Sequence, residues 1–225
     1  PREAMEMMHY AFDISEKFEE PVLFRTTTRM NHVRGIVELG PMKEISQERV
    51  RFEKDPGRFV TVPANARKRH IALLNLIPKM RSESEVSPFN KVVVPEKANI
   101  KGEKKLGIIT SGVSYNYVME VLNNVELGVE VRVLKLGMTN PLPDDMIEEF
   151  LREEDLVVVV EELEPYLEEY IKSLANERDI STSILGKREG LYPRNFEFDP
   201  DIVERGITSA LERIGSNPEM IEAQD

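Results

Sequence analysis

The chain has 225 residues and contains no cysteine. Its own residues therefore form no disulfide bond, no thiolate nucleophile and no iron–sulfur or zinc–thiolate centre. Histidine is scarce as well, with only three residues, His9, His32 and His70, far apart in the sequence. This spacing is not typical of metal ligands, so we predict no metal site.

Positive charge is also in deficit. The chain has 30 lysines and arginines and 41 aspartates and glutamates, which gives a net charge of −11. Proteins that bind nucleic acid or anionic membrane surfaces need a positive field, so neither partner is predicted. No apolar run approaches the roughly 18 residues that a membrane-spanning helix requires. A local basic patch still suits a small anion.

Strands and helices alternate clearly in the second half of the chain. The predicted strands cover residues 106–110, 129–137, 155–163 and 182–185, and the predicted helices start near Ser111, Pro143, Pro165 and Asp199. This alternation predicts an α/β domain in which a parallel sheet carries helices on both faces. The loops at the carboxyl ends of such strands are where ligands usually bind. Here they are residues 110–115, 137–141 and 161–164.

The first half is less regular. Residues 2–17 have the apolar spacing of a helix, and residues 21–28 are rich in strand-forming types. Residues 64–80 predict a helix interrupted at Pro78. The polar stretch 97–105 predicts an exposed linker, at which we place a domain boundary.

The strand predicted at residues 21–28 has no earlier strand with which to pair. A lone strand is unstable, so its partners are expected upstream of this sequence. Pro1 in place of a start methionine fits a portion cut from a longer chain. The alternative is an edge strand of the later sheet.

Ser111 and Gly112 follow the first strand of the second domain in the string TSGVSYN. The string is neither a dinucleotide-binding G-x-G-x-x-G nor a P-loop, and it lacks the second glycine of a nucleophile elbow. Ser111 suits the start of a helix and Gly112 suits a tight turn, so an anion could bind there. A simple helix cap is the alternative that we favour.

An acidic cluster, EELE at residues 161–164, ends the most apolar strand. Paired carboxylates can serve as acid and base or hold a metal ion. Acidic residues before a helix more often complement its dipole, and the helix at Pro165 favours that interpretation here.

Three arginines, Arg25, Arg29 and Arg34, lie close together just past the predicted strand 21–28, with Thr27 and His32 among them. Arginine suits the bidentate capture of a carboxylate or phosphate, and threonine adds a hydroxyl donor. The alternatives are a salt-bridge network or an interface. The basic string NARKRH, residues 65–70, is interpreted as a solvated or interfacial helix start.

Several strings in the same order resemble the large (alpha) subunit of archaeal-type indolepyruvate ferredoxin oxidoreductases. They are RTTTRMNHVRG, VPANARKRH, SPFN, ITSGVSYNYV, LKLGMTNPLP and VVVVEELEPYLEE. The resemblance covers essentially the whole chain. It implies that residues 1–35 end a thiamine pyrimidine-binding α/β domain, that 36–105 form an irregular linker region, that 106–215 form a transketolase C-terminal-like domain, and that 216–225 form a tail.

The resemblance further implies the function of the full enzyme. This is the oxidative decarboxylation of indolepyruvate or another arylpyruvate to an acyl-CoA, with thiamine diphosphate, magnesium and iron–sulfur clusters as cofactors. Ferredoxin and a beta subunit are the implied partners, and the location is cytoplasmic. No cofactor and no catalytic residue is expected within these residues, which would serve structural and docking roles and be inactive alone.

The candidate residues for an anion-facing or interface surface are Arg25, Thr27, Arg29, His32, Ser111 and Gly112. The resemblance implies that Arg25 and Arg29 help to form such a surface in the assembled enzyme. Two other functions stay open. One is a stand-alone Rossmann-like module that binds a nucleotide or CoA, and the other is a related 2-oxoacid oxidoreductase of different specificity.

Overall fold

A computed structural model describes residues 1–40, 53–95, 104–126, 128–213, 215 and 219–220. The chain divides into two compact units, Pro1–Met80 and Arg81–Asp225. The linker predicted at residues 97–105 lies mostly outside the described ranges, so the predicted domain boundary stays a prediction.

The described part of the first unit is helical. Its elements are α1 (Arg2–Phe18), α2 (Thr28–His32), α3 (Pro56–Phe59) and most of α4 (Pro63–Glu85). The helix predicted at residues 2–17 is confirmed as α1. It ends where Glu19 adopts a left-handed conformation, with φ of 55°.

The strand predicted at residues 21–28 is wrong. Residues 21–27 have no regular secondary structure, and α2 begins at Thr28. The hydroxyl of Thr27 accepts a hydrogen bond from the amide of Met30 at 3.4 Å and so caps that helix. Strand-forming residues need a neighbouring strand, and no described strand pairs with this segment, so the edge-strand alternative is wrong too.

The helix break predicted at Pro78 is also wrong, because α4 continues through it to Glu85. The reason lies in the last turn of the helix, which is held by tertiary contacts. Arg81 pairs with the buried carboxylate of Asp144 at 2.7 Å. Glu85 accepts hydrogen bonds from the amides of Asp145 and Met146, each at 2.9 Å. These contacts outweigh the single backbone hydrogen bond that a proline removes.

The second unit contains a five-stranded sheet. In chain order its elements are β1 (Lys91–Val93), β2 (Lys105–Ser111), α5 (Val113–Asn124), β3 (Val125–Glu126), β4 (Glu130–Leu136), α6 (Asp144–Glu153), β5 (Leu156–Val160), α7 (Tyr166–Glu177), β6 (Ser183–Leu185), α8 (Pro200–Arg213) and β7 (Glu219–Met220). The short strands β3 and β7 pair with each other as a separate antiparallel ribbon.

The predicted parallel sheet is confirmed, with one addition. The strand order is β1-β4-β2-β5-β6, and β2, β4, β5 and β6 run parallel. The addition is β1, which joins β4 in antiparallel orientation at the edge. Its sequence was assigned to the irregular region because three residues are too few to show a period.

Helices cover both faces of the sheet, as predicted. On one face, α5 and α8 pack against a core that includes Ile108, Val133 and Val158. On the other face, α6 and α7 pack against Ile109 and Val159 among others. Every residue of β5 is buried, which explains its continuous apolar sequence. The helices therefore leave uncovered the two sides of the sheet where the parallel strands begin and where they end.

Gly206 of α8 faces the buried ring of Tyr192. A Cβ at this position would lie 2.6 Å from the Tyr192 hydroxyl oxygen and would overlap the ring itself. Alanine in a helix interior normally gains about 1 kcal/mol over glycine. Overpacking a core costs about 1–3 kcal/mol.

We therefore expect Gly206→Ala to lower the free energy of unfolding by up to about 2 kcal/mol. Denaturant titration followed by circular dichroism measures this change. The exposed Ser209→Ala on the same helix is the matched control and should be neutral or slightly stabilising. A stabilised Gly206→Ala variant would contradict the packing described for Tyr192.

Candidate functional site

The carboxyl ends of the parallel strands gather the loops that the sequence singled out. Ser111 is the last residue of β2 and pairs with Leu136 of β4. Gly112 follows with φ of 59°, the left-handed conformation that favours glycine, and α5 begins at Val113. The turn has the predicted tight geometry, while the anion predicted there stays a prediction.

Glu161, directly after β5, is buried and caps α7. The amide of Leu167 donates to its Oε2 at 2.8 Å, and the amide of Glu168 donates to its Oε1 at 2.9 Å. Burial raises the pKa of this carboxyl, and the two amides offset part of the rise. The interpretation of Glu161 as a partner of the helix dipole is confirmed.

Glu168 is a second buried carboxylate, with no exposed surface. Its Oε2 accepts a hydrogen bond from the amide of Lys187 at 2.7 Å, and its Oε1 accepts one from the amide of Arg188 at 3.1 Å. Lys172, one turn along α7, donates to Oε1 at 2.7 Å. This carboxylate therefore holds the loop that follows β6. Gly186 allows the close approach, since a Cβ there would lie 2.6 Å from Oε2.

Lys187 is buried between these acidic groups and an aromatic ring. Its Nζ donates to the carbonyl of Pro193 at 2.5 Å and lies 4.4 Å from the centre of the Phe198 ring. Burial lowers the pKa of this ammonium group, and the charges of Glu161 and Glu168 oppose that change. The charged side chain thereby fixes the path of residues 193–198.

Two more carboxylates join the loop after β5 to this last loop. The amide of Phe198 donates to Glu162 at 2.8 Å, and Arg194 pairs with Glu164. On the other side, the hydroxyl of Tyr166 donates to the carbonyl of Thr139 at 3.4 Å. The loops at this edge are thus connected to one another.

Asn90 connects the strings SPFN and LKLGMTNPLP. Its Oδ1 accepts hydrogen bonds from the amides of Gly137 and Met138, each at 2.9 Å. Its Nδ2 donates to the carbonyl of Ser84 at 3.0 Å. The buried Asn90 side chain therefore fixes the loop after β4 against the end of α4.

The predicted site residues fall into two groups. Arg25 is exposed in the irregular segment, Thr27 caps α2, and Arg29 and His32 are exposed on α2, all in the first unit. Ser111 and Gly112 lie in the second unit.

The sequence analysis missed three residues of the second unit: Asn90, Glu168 and Lys187. Their signal was weak, since Glu168 and Lys187 read as ordinary surface charges. Only the apolar spacing of α7, which turns position 168 inward, indicated otherwise.

Within the described ranges, no group of three or more histidine, aspartate or glutamate side chains could hold a metal ion. Over those same residues, no helix has both the length and the hydropathy that a membrane crossing requires.

Replacing Glu168 with glutamine puts an amide group among donors that need an acceptor. We expect Glu168→Gln to lower the free energy of unfolding by about 2–4 kcal/mol, because a buried donor is left unsatisfied and Lys172 keeps only one of its two carboxylate partners, Glu189. The measurement is denaturant unfolding of this chain at neutral pH.

The neighbouring Glu169 provides the control. Its side chain is half exposed and pairs with Arg188 at the surface. Glu169→Gln should therefore change the stability by less than about 1 kcal/mol. Equal effects of the two substitutions would show that the buried carboxylate has no special role.

Comparison with known proteins connects this geometry to a family. The family model described as "Indolepyruvate oxidoreductase domain" matches residues 96–225. The "Indolepyruvate oxidoreductase subunit IorA" of Thermococcus kodakarensis is 45% identical over 202 residues, which cover 88% of this chain and 30% of that protein. The subunit of the same name from Methanothermobacter marburgensis is 40% identical over 227 residues, which cover 100% of this chain and 35% of that protein.

The chain thus spans about a third of the length of these curated relatives. A solved 2-oxoglutarate:ferredoxin oxidoreductase from Magnetococcus marinus is 17% identical, with a TM-score of 0.43, and the match covers 67% of this chain and 24% of that one. The family model and the IorA relatives are decisive: the chain belongs to the indolepyruvate oxidoreductase domain family.

Proposed function

We propose that this chain is a portion of the large subunit of an indolepyruvate ferredoxin oxidoreductase. In the full enzyme, an arylpyruvate such as indolepyruvate is oxidatively decarboxylated to an acyl-CoA, and ferredoxin receives the electrons. The observation that carries this proposal is the identity of 36–45% to subunits named for indolepyruvate oxidation, over most of the chain.

Two of the inorganic cofactors of the full enzyme, the iron–sulfur clusters and magnesium, do not fit the residues that the structure describes. Iron–sulfur clusters need cysteine ligands, and the chain has none. Magnesium, which accompanies thiamine diphosphate, needs converging oxygen ligands, and the described residues hold no such cluster. The sites of these groups therefore belong, in this proposal, to other parts of the enzyme.

The role that we propose for this portion is structural and domain-docking. The use of its buried carboxylates supports this role. Glu161 and Glu168 direct their oxygens to backbone amides of their own unit, so neither is available as a general acid or base. The beta subunit, ferredoxin and CoA are then partners of the assembled, cytoplasmic enzyme.

Arg25 and Arg29, with Thr27 and His32, form the proposed anion-facing or interface surface of the first unit. Their exposure supports this assignment, because an exposed guanidinium is accessible to a carboxylate, a phosphate or an acidic partner surface. Ser111 and Gly112 are the corresponding candidates of the second unit.

The alternative function is a stand-alone module that binds a nucleotide or CoA at the turn of Ser111 and Gly112. The glycine conformation is the observation in its favour. A single helix start without a glycine-rich loop gives it little further support.

One test of this proposed function uses the chain alone. With indolepyruvate, CoA and ferredoxin it should show no turnover, and calorimetry should detect no binding of thiamine diphosphate, adenine nucleotides or CoA. The full-length enzyme is the positive control. Micromolar binding of a nucleotide or CoA would instead favour the alternative module, and turnover by the isolated chain would contradict a docking role.

Another test substitutes the two arginines in the full-length enzyme. Arg25→Ala and Arg29→Ala should each lower kcat/KM by roughly tenfold or more, since a charge-assisted contact is worth about 1.5–3 kcal/mol. Arg2→Ala is the matched control, because its side chain is 75% exposed and pairs with Glu6 one turn along α1. Kinetics equal to wild type for both variants would rule out the proposed surface.

A further inference from the structure

Three large apolar or aromatic side chains point to solvent at the carboxyl edge of the sheet. Phe196 is 80% exposed, Tyr166 55% and Leu163 47%. Leu163 and Phe196 belong to the two loops, 161–165 and 193–198, that the hydrogen bond to Glu162 and the ion pair of Glu164 join, and Tyr166 is the first residue of α7. We define these three residues as the edge patch.

Two members of the edge patch have an unfavourable backbone conformation. Leu163 has φ of 60° and Phe196 has φ of 65°, in the left-handed region that bulky side chains rarely adopt. Strain of this kind persists where surrounding contacts impose it, and it is concentrated at functional surfaces. In the isolated unit, both the backbone strain and the exposure of these apolar side chains lower the stability, and no contact among the described residues of the unit compensates for them.

The surroundings make the edge patch a fixed surface. The buried ammonium group of Lys187 donates a hydrogen bond to the carbonyl of Pro193 and contacts the ring of Phe198. Tyr166 is attached to the loop after β4 through Thr139. Few conformations are therefore lost when a partner covers the edge patch, which favours binding.

The charge around the edge patch narrows the choice of partner. Residues 81–225 contain 30 aspartates and glutamates against 16 lysines and arginines. Near the edge patch, the three carboxylates of Glu162, Glu164 and Glu197 outnumber the two cations, the buried Lys187 and Arg194, and Arg194 already pairs with Glu164. An acidic rim repels the phosphates of CoA and the surface of an acidic protein, and it attracts an apolar surface bordered by lysine or arginine.

We propose that the edge patch docks against another part of the same subunit, an apolar surface with a basic border that lies outside the residues of this chain. This inference rests on the proposed function. The relatives supply the reason for this occupant: about two-thirds of their length lies outside the match, so a large part of the same polypeptide is available to cover the edge patch.

The test uses the double variant Leu163→Asn with Phe196→Asn. Asparagine tolerates the left-handed conformation, so the unfolding midpoint of the isolated chain should be equal to or higher than that of wild type. In the full-length enzyme the same variant should lose at least about tenfold in kcat/KM, as buried aromatic contacts do when truncated. A lowered midpoint of the isolated chain, or wild-type kinetics of the full enzyme, would overturn the proposal.

Photo-crosslinking identifies the occupant. With p-benzoylphenylalanine at Phe196 of the full-length enzyme, mass spectrometry should find crosslinks to the same subunit outside this chain. The same probe at Glu153, which lies at the opposite end of the sheet, is the positional control. Crosslinks from position 196 only to ferredoxin, to the beta subunit or to a second copy would contradict the proposed occupant.

The two proposals fail in different ways. If the wild-type full-length enzyme does not oxidise indolepyruvate, the proposed function is wrong, whatever the double variant does. If the wild-type enzyme is active and the double variant equals it, the docking surface alone is wrong.

Discussion

The carboxylate of Glu168 is buried without exposed surface, and the carboxyl edge of the sheet takes its shape from the need to satisfy it. A buried charge is tolerated only where donors surround it. The amides of Lys187 and Arg188 supply two of these donors, so the chain after β6 must return to α7. Glu161 imposes the same condition on the start of α7. Together the two carboxylates hold the start of α7 and the loop after β6 in fixed positions at this edge of the sheet.

That surface suits contact better than catalysis. A general acid or base needs an oxygen directed to a reacting group, whereas these oxygens face backbone amides of their own unit. What the edge offers outward is the aromatic and apolar set of Phe196, Tyr166 and Leu163. The chain belongs to the indolepyruvate oxidoreductase domain family and spans about a third of the length of these curated relatives. Buried charges hold the loops of this edge, and its exposed side chains form the surface that we propose for docking.

The site was less predictable than the fold, for a physical reason. The acidic run at residues 161–164 was visible, and the favoured interpretation of Glu161 was correct. Glu168 and Lys187 were not recognised, because a charged residue read alone is expected at the surface. Their burial depends on partners about twenty residues away along the chain. Asn90 is similar, since its two acceptor contacts lie more than 45 residues away.

The sequence by itself determined the parallel sheet and its covering helices, because the period of apolar residues is a local property that survives without the partner elements. It did not determine where marginal segments end. Residues 21–27 have strand-forming types but no described neighbour to pair with, and α4 passes Pro78 because Arg81 and Glu85 are held by the start of α6. Tertiary structure decided these outcomes. The differences in local propensity are small, and the energies of contacts between distant residues are large enough to override them.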